Sequence, residues 1–204
     1  MATLMFVGNH VFMTHLGDDG VGAFGIACYY MPFVFMVGNA IAQSAQPIIS
    51  YNFGLGYKDR VMATERIALL TSIACGSIIM AAFTLFPQIL VGVFISPDNV
   101  AARIAIHGFP YFSMAFVFFI LNLTVIGYYQ SVERVKPATA LALLRGFIFL
   151  IPSFLLLPKV MGTNGIWLAL CLSEVLTTIS IIMGFAIRVT RSKLAGHVNA
   201  AGSK

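Results

Sequence analysis

Charge is what this chain has least of. Its 204 residues hold 12 Lys and Arg and seven Asp and Glu, 9% charged against 59% hydrophobic, where soluble domains are about 25% charged. Residues 20 to 57 contain no Asp, Glu, Lys, Arg or His at all. With a mean hydropathy of +0.93, the composition excludes a soluble domain and implies an all-α integral membrane protein. Cysteine is sparse too. Cys28, Cys75 and Cys171 all lie in apolar segments, so no disulfide framework is implied. The start has neither the positive region nor the A-x-A-like site of a cleavable signal peptide. No metal-ligand spacing, nucleophile elbow or phosphate loop occurs, which argues against an enzyme and against a bound metal or other cofactor. The basic residues are scattered among loops without a continuous patch, which argues against nucleic acid as a partner and for membrane lipid.

The apolar segments predict six spans, at about 1–16, 21–53, 67–94, 104–129, 138–157 and 165–187. The first is short for a bilayer crossing of about 20 residues, so it reads as clipped and the chain as a fragment of something longer. Pro32 and Pro47 are expected kinks in the second span. Charged loops are expected at 57–66 and 133–137, turns at 17–20 and 96–99, and a loop at 158–164. Together, 1–190 form one membrane bundle and 191–204 a polar tail, expected to be unstructured from Arg188 onward. Counting basic residues orients it. The loops at 58–66 and 133–136 and the C-terminal tail hold nine of the 12, which puts those regions and the C-terminus in the cytoplasm and the protein in the inner (plasma) membrane.

The polar residues inside the spans are the informative ones. Asn39, Gln43, Gln46 and Ser50 follow spacings of four, three and four, hence one helical face. Amides facing lipid would leave polar groups unsatisfied, so this face looks at another helix or at water. It is either the wall of a polar pathway or interhelical glue. On the fourth span His107, Tyr111, Met114, Phe118 and Asn122 lie near one face, which suits either bulky cations or plain packing. Arg145 and Glu174 each interrupt an apolar span, at about 2.5–3.5 kcal/mol for a lone central charge. An antiparallel hairpin turning near 160 places Arg145 within a turn of Glu174, so an ion pair resolves both. The pair reads as structural, with Glu174 the fallback proton carrier. Gly20-Val21-Gly22-Ala23-Phe24-Gly25 matches G-x-G-x-x-G, but it opens a membrane helix and no carboxylate follows until Asp59, so a dinucleotide site is rejected. The sequon Asn122-Leu123-Thr124 is buried in a span and inert.

Gln46-Pro47-Ile48-Ile49-Ser50-Tyr51-Asn52-Phe53-Gly54, followed by Lys58-Asp59-Arg60-Val61, resembles the end of the eighth helix in the multidrug and toxic compound extrusion (MATE) family. Leu144-Arg145, Ile151-Pro152 and Gly165-Ile166-Trp167-Leu168-Ala169 are similar to its eleventh and twelfth helices. The resemblance covers essentially the whole chain as the C-terminal six-helix half of a twelve-helix, pseudo-symmetric transporter. It implies cation-coupled antiport, driven by H⁺ or Na⁺, that exports drugs and amphipathic organic cations by alternating access. Asn39, Gln43, Gln46, Tyr111 and Asn122 are then the candidates for the substrate cavity, and the missing N-terminal half is the implied partner. Carboxylates that some members place in helices seven and ten have no counterpart here, which puts the coupling-ion site in that missing half. The rival readings are a lipid-linked oligosaccharide flippase of related fold and a small membrane scaffold or channel subunit.

Overall fold

Glycine, not proline, breaks the long helices. α1 (Ala2–Gly54) has 53 residues, about 80 Å if straight, far beyond a hydrocarbon core of about 30 Å. At Gly17 the backbone takes φ 65°, ψ −157°, a region open to glycine and costly for other residues. There the helix doubles back. Phe12 stacks on Phe24 with ring centroids 4.6 Å apart, and Gly8 lies against the same ring. Pro32 and Pro47 sit within the second arm, and Gly17 is the non-helical position inside α1. Prolines are tolerated at membrane depth where neighbours satisfy the freed carbonyls. The computed structural model describes residues 2–201, with side chains described through 190 apart from 188 and 189.

α2 (Lys58–Leu85) follows after a turn at 55–57. The charged loop expected at 57–66 is therefore already helix from Lys58. The third span, expected to reach 94, stops at Leu85. Pro87 follows and can only begin a new helix, α3 (Pro87–Gly92), because it lacks the N–H a continuing helix needs. Asn99 caps α4 (Val100–Ser113) by accepting from the Ala101 N–H at 2.9 Å. α4 carries Pro110 and meets α5 (Ala115–Ser131) at a bend of 45°. α6 (Val135–Leu143) runs through a π turn, Leu144–Ile148, into α7 (Leu150–Ala201). α7 is broken at Gly162, with φ 59° and ψ −140°. The loop expected at 158–164 thus contracts to one residue. The tail expected to be unstructured is helical as far as Ala201, and 202–204 lie outside the described residues.

The breaks at Gly17 and Gly162 split α1 and α7 into two arms each, and among the described residues no strand occurs. α5 is the hub, packed against α1, α2, α6 and α7. It is apolar on all sides, as a helix surrounded by others must be. Small residues let its neighbours come close. Gly76 of α2 lies against the Val117 backbone, and Gly38 of α1 against Ile120 and Leu123. Two hydroxyl pairs bridge α2 to its neighbours. Ser72 meets Thr124 at 2.7 Å, and Thr84 meets Ser113 at 3.3 Å. An aromatic core of Phe12, Phe24, Phe83, Phe109, Phe112, Phe116 and Trp167 fills the end of the bundle near Gly17 and Gly162.

A methyl group at Gly76 would stand 2.7 Å from the Val117 Cα, which is backbone and cannot rotate aside. Gly76→Ala should therefore lower stability by about 1–3 kcal/mol. Gly25→Ala, with nothing within 4 Å of the added carbon, should leave it unchanged. Thermal unfolding in detergent measures both, and equal midpoints for the two variants would refute the close-contact account.

Candidate functional site

Asn122 sits at the centre of α5 and is fully buried. Its amide nitrogen donates to Glu174 Oε2 at 2.8 Å and to the Glu174 carbonyl at 3.0 Å. Its oxygen accepts from Thr178 Oγ1 at 3.0 Å. The other carboxylate oxygen, Glu174 Oε1, takes Arg145 Nε at 3.0 Å and Arg145 Nη2 at 2.9 Å. Glu174 is 2% exposed and the Arg145 side chain 11%. The guanidinium lies over the Phe119 ring, 4.2 Å from its centroid, a contact that contributes most where water is excluded.

Local structure places each partner. Arg145 stands on the π turn, a feature frequent at functional sites. That turn is closed by the Phe149 N–H donating to the Leu144 carbonyl at 2.8 Å. Ser173 Oγ donates to the Arg145 carbonyl at 3.3 Å, which fixes α7 against the turn. Glu174 and Thr178 are one helical turn apart on α7, so both reach Asn122. In hydrocarbon, where no water can substitute, these bonds answer the Asn122 amide and both Glu174 carboxylate oxygens from inside the protein.

Arg145 and Glu174 of this network line a cavity of about 510 Å³, which also reaches Ala2, Thr3 and Leu4 of α1. Phe119, Leu123, Leu150 and Leu170 supply much of its apolar lining, with Phe35 at the α1 edge and Arg145 and Glu174 as its charged groups. Sites for drug-sized molecules are about 300–1,000 Å³ and predominantly apolar with a few placed polar groups. Phe35 stands four residues before Asn39 and eleven before Gln46, so the polar stripe continues the side of α1 that bounds this cavity.

The sequence-derived candidates separate here. Asn122, Arg145 and Glu174 are brought together. Asn39 is half-buried, and Gln43 and Gln46 are exposed on α1. Ser50 is held by the Ser131 carbonyl at 3.1 Å. Tyr111 lies away from the cavity, half-buried beside His107, ring centroids 5.6 Å apart. His107 meets Asn164 at 3.0 Å. The bend at Met114 divides the face expected to carry His107, Tyr111 and Asn122 together. Four participants escaped the sequence reading: Phe35, Phe119, Ser173 and Thr178. Phe119 and Thr178 had a signal, since they lie three residues before Asn122 and four after Glu174.

The MatE family model matches residues 1–155. The chain belongs to the MatE family. As a member of that family of membrane transporters it is an all-α membrane chain. It superposes on an outward-facing multidrug resistance MATE family transporter of the MOP superfamily with a TM-score of 0.84 and 15% identity, covering 95% of this chain and 44% of that one. An inward-facing MATE family transporter gives 0.78 and 15%, covering 92% and 44%. A MOP superfamily transporter from Pyrococcus furiosus, whose reverse pocket polarity is taken to suggest a different function, gives 0.84 and 14%, covering 95% and 44%. At these identities the likeness speaks for the fold. This MatE chain spans under half the length of those transporters. No curated protein matches it in sequence.

Removing one partner of a buried ion pair leaves an unanswered charge at about 3–5 kcal/mol. Arg145→Ala should therefore sharply reduce folded protein. Arg145→Met combined with Glu174→Gln keeps an acceptor for Asn122 without a charge, and should recover most of that loss. Monodisperse yield and thermal midpoint in detergent report both. A fully stable Arg145→Ala would contradict the assignment of the pair as structural.

Proposed function

We propose that this chain works beside a second six-helix half in a cation-coupled antiporter, driven by H⁺ or Na⁺, that exports drugs and other amphipathic organic cations by alternating access. The observation that carries the reading is the cavity of about 510 Å³, apolar and aromatic with few polar groups, whose α1 edge continues into Asn39, Gln43 and Gln46. Bulky cations with apolar bodies match such a wall, through ring faces and a few amide acceptors. Apolar contact and sparse hydrogen bonding also suit a site that accepts many shapes. In this reading the exposed Gln43 and Gln46 face the second half and the substrate path. The turn at 55–57, the turn at 132–134 and the C-terminus lie on the cytoplasmic side, by the distribution of basic residues.

A lipid-linked oligosaccharide flippase would need cations free to meet a pyrophosphate. Two nitrogens of the Arg145 fork are committed to Glu174, which weighs against that alternative.

The test is efflux of a fluorescent organic cation from proteoliposomes holding the complete transporter, under an imposed pH or Na⁺ gradient. Efflux should follow one gradient and stop when it is collapsed. Asn39→Ala and Gln46→Ala should each weaken transport of hydrogen-bonding substrates by roughly 3–10-fold, the loss of one hydrogen bond of about 1 kcal/mol. Transport of apolar cations should change less. Efflux indifferent to both gradients would overturn the antiport mechanism, and unchanged substrate profiles would remove this face from the path.

A further inference from the structure

Glu65 is the buried carboxyl that the cavity does not use. It lies on the one buried stripe of α2, between Val61 and Ala68, and is 9% exposed. Val61 and Ala68 pack with Ala45 and Ile49 of α1 and Val132 beyond α5, with Tyr128 against them. Among the described residues nothing donates to Glu65 Oε2. Asn52, one turn past Ile49, is buried too. Its nitrogen donates to the Ile48 carbonyl at 2.8 Å, while its Oδ1 has no donor. Two buried oxygens at this end of the bundle therefore lack a proton to accept. Ionised, Glu65 can only accept; protonated, it also donates.

The charges around it do not answer a carboxylate. α1 has none from 20 to 57. On α2, Lys58, Asp59, Arg60 and Arg66 are exposed, as are Glu133 and Arg134 in the turn after Val132 and Lys136 on α6. α2, at about 42 Å, overshoots the hydrocarbon core by about two turns, and all its charges fall in residues 58–66. Glu65 thus stands two turns into α2, in the same charged stretch at its start.

We propose that Glu65 is a proton-binding site, neutral while the α1–α2 hairpin is closed on the end of α5 and losing its proton to water when that packing opens. Its use in driving transport rests on the antiporter reading; the protonation itself does not. A carboxyl with no donor, packed among aliphatic side chains, is easier to keep neutral than to ionise. The packed form therefore holds the proton more tightly than the open chain does, so the packing is favoured at low pH and weakens as pH rises.

Infrared difference spectroscopy of the purified transporter tests this without any transport measurement. Wild type should lose a protonated-carboxyl band as pH is raised through neutrality. Glu65→Gln should lack that band, and Glu133→Gln, an exposed acid, should keep it. The thermal midpoint should fall over the same pH range in wild type and stay flat in Glu65→Gln, a neutral isostere that keeps the packing. A band absent from wild type below neutrality, or one that survives in Glu65→Gln, would overturn the proposal. A transporter that moves no drug could still pass both measurements, so the two readings fail separately.

Discussion

A guanidinium and a carboxylate hold the centre of this bundle because neither can face hydrocarbon alone. Arg145 takes Glu174 through two nitrogens, and Asn122 occupies the carboxylate oxygen they leave free. Three helices thereby meet at one point: the π turn after α6, the middle of α7 and the middle of α5. An apolar triplet of similar volume could be as stable. The ionic arrangement adds direction, since two arginine nitrogens on one carboxylate oxygen tie the π turn to α7 while the amide ties α5 to α7. The same bonds leave the charged pair at the edge of a cavity without leaving it unanswered.

Around that point the helices approach through absence of side chain. Gly38 admits α5 to α1, Gly76 admits α5 to α2, and Gly108 makes room for Trp167. In lipid, where burial of apolar surface against other helices gains little over burial in tails, contact of this kind and a few hydroxyl bonds are what favour association. Ser72 to Thr124 is such a bond. The cavity is lined instead by large side chains, Phe35 and Phe119 among them.

Much of this was legible from residue order, because the bilayer leaves few alternatives. Long charge-free runs must cross, and glycine or short polar stretches must turn. A hairpin near 160 then sets Arg145 against Glu174 by counting alone. What counting missed has physical causes. Lys58 to Arg66 read as a loop by its charges, yet Lys, Arg and Glu are good helix formers, and a helix longer than the bilayer keeps them in its overhang. The bend between α4 and α5 undid a face drawn as continuous through Met114. Gln43 and Gln46 are exposed on α1, so a polar stripe drawn from spacing alone did not say which side of the helix the neighbours would cover.

The two buried acids show why residue type alone could not assign roles. Glu174 interrupts an apolar span, so it attracted notice at once, and it turns out to be answered on both oxygens by an arginine and an amide. Glu65 looked like one more loop charge among Lys58, Asp59, Arg60 and Arg66, yet it is the one turned into an aliphatic cluster. A carboxylate held by fixed donors gains little from moving, whereas one lacking a donor is relieved either by a proton or by exposure. If the bundle opens at the 55–57 end, Glu65 is the acid whose protonation changes with that opening, and Glu174 is the one that keeps α5 and α7 in register while it does.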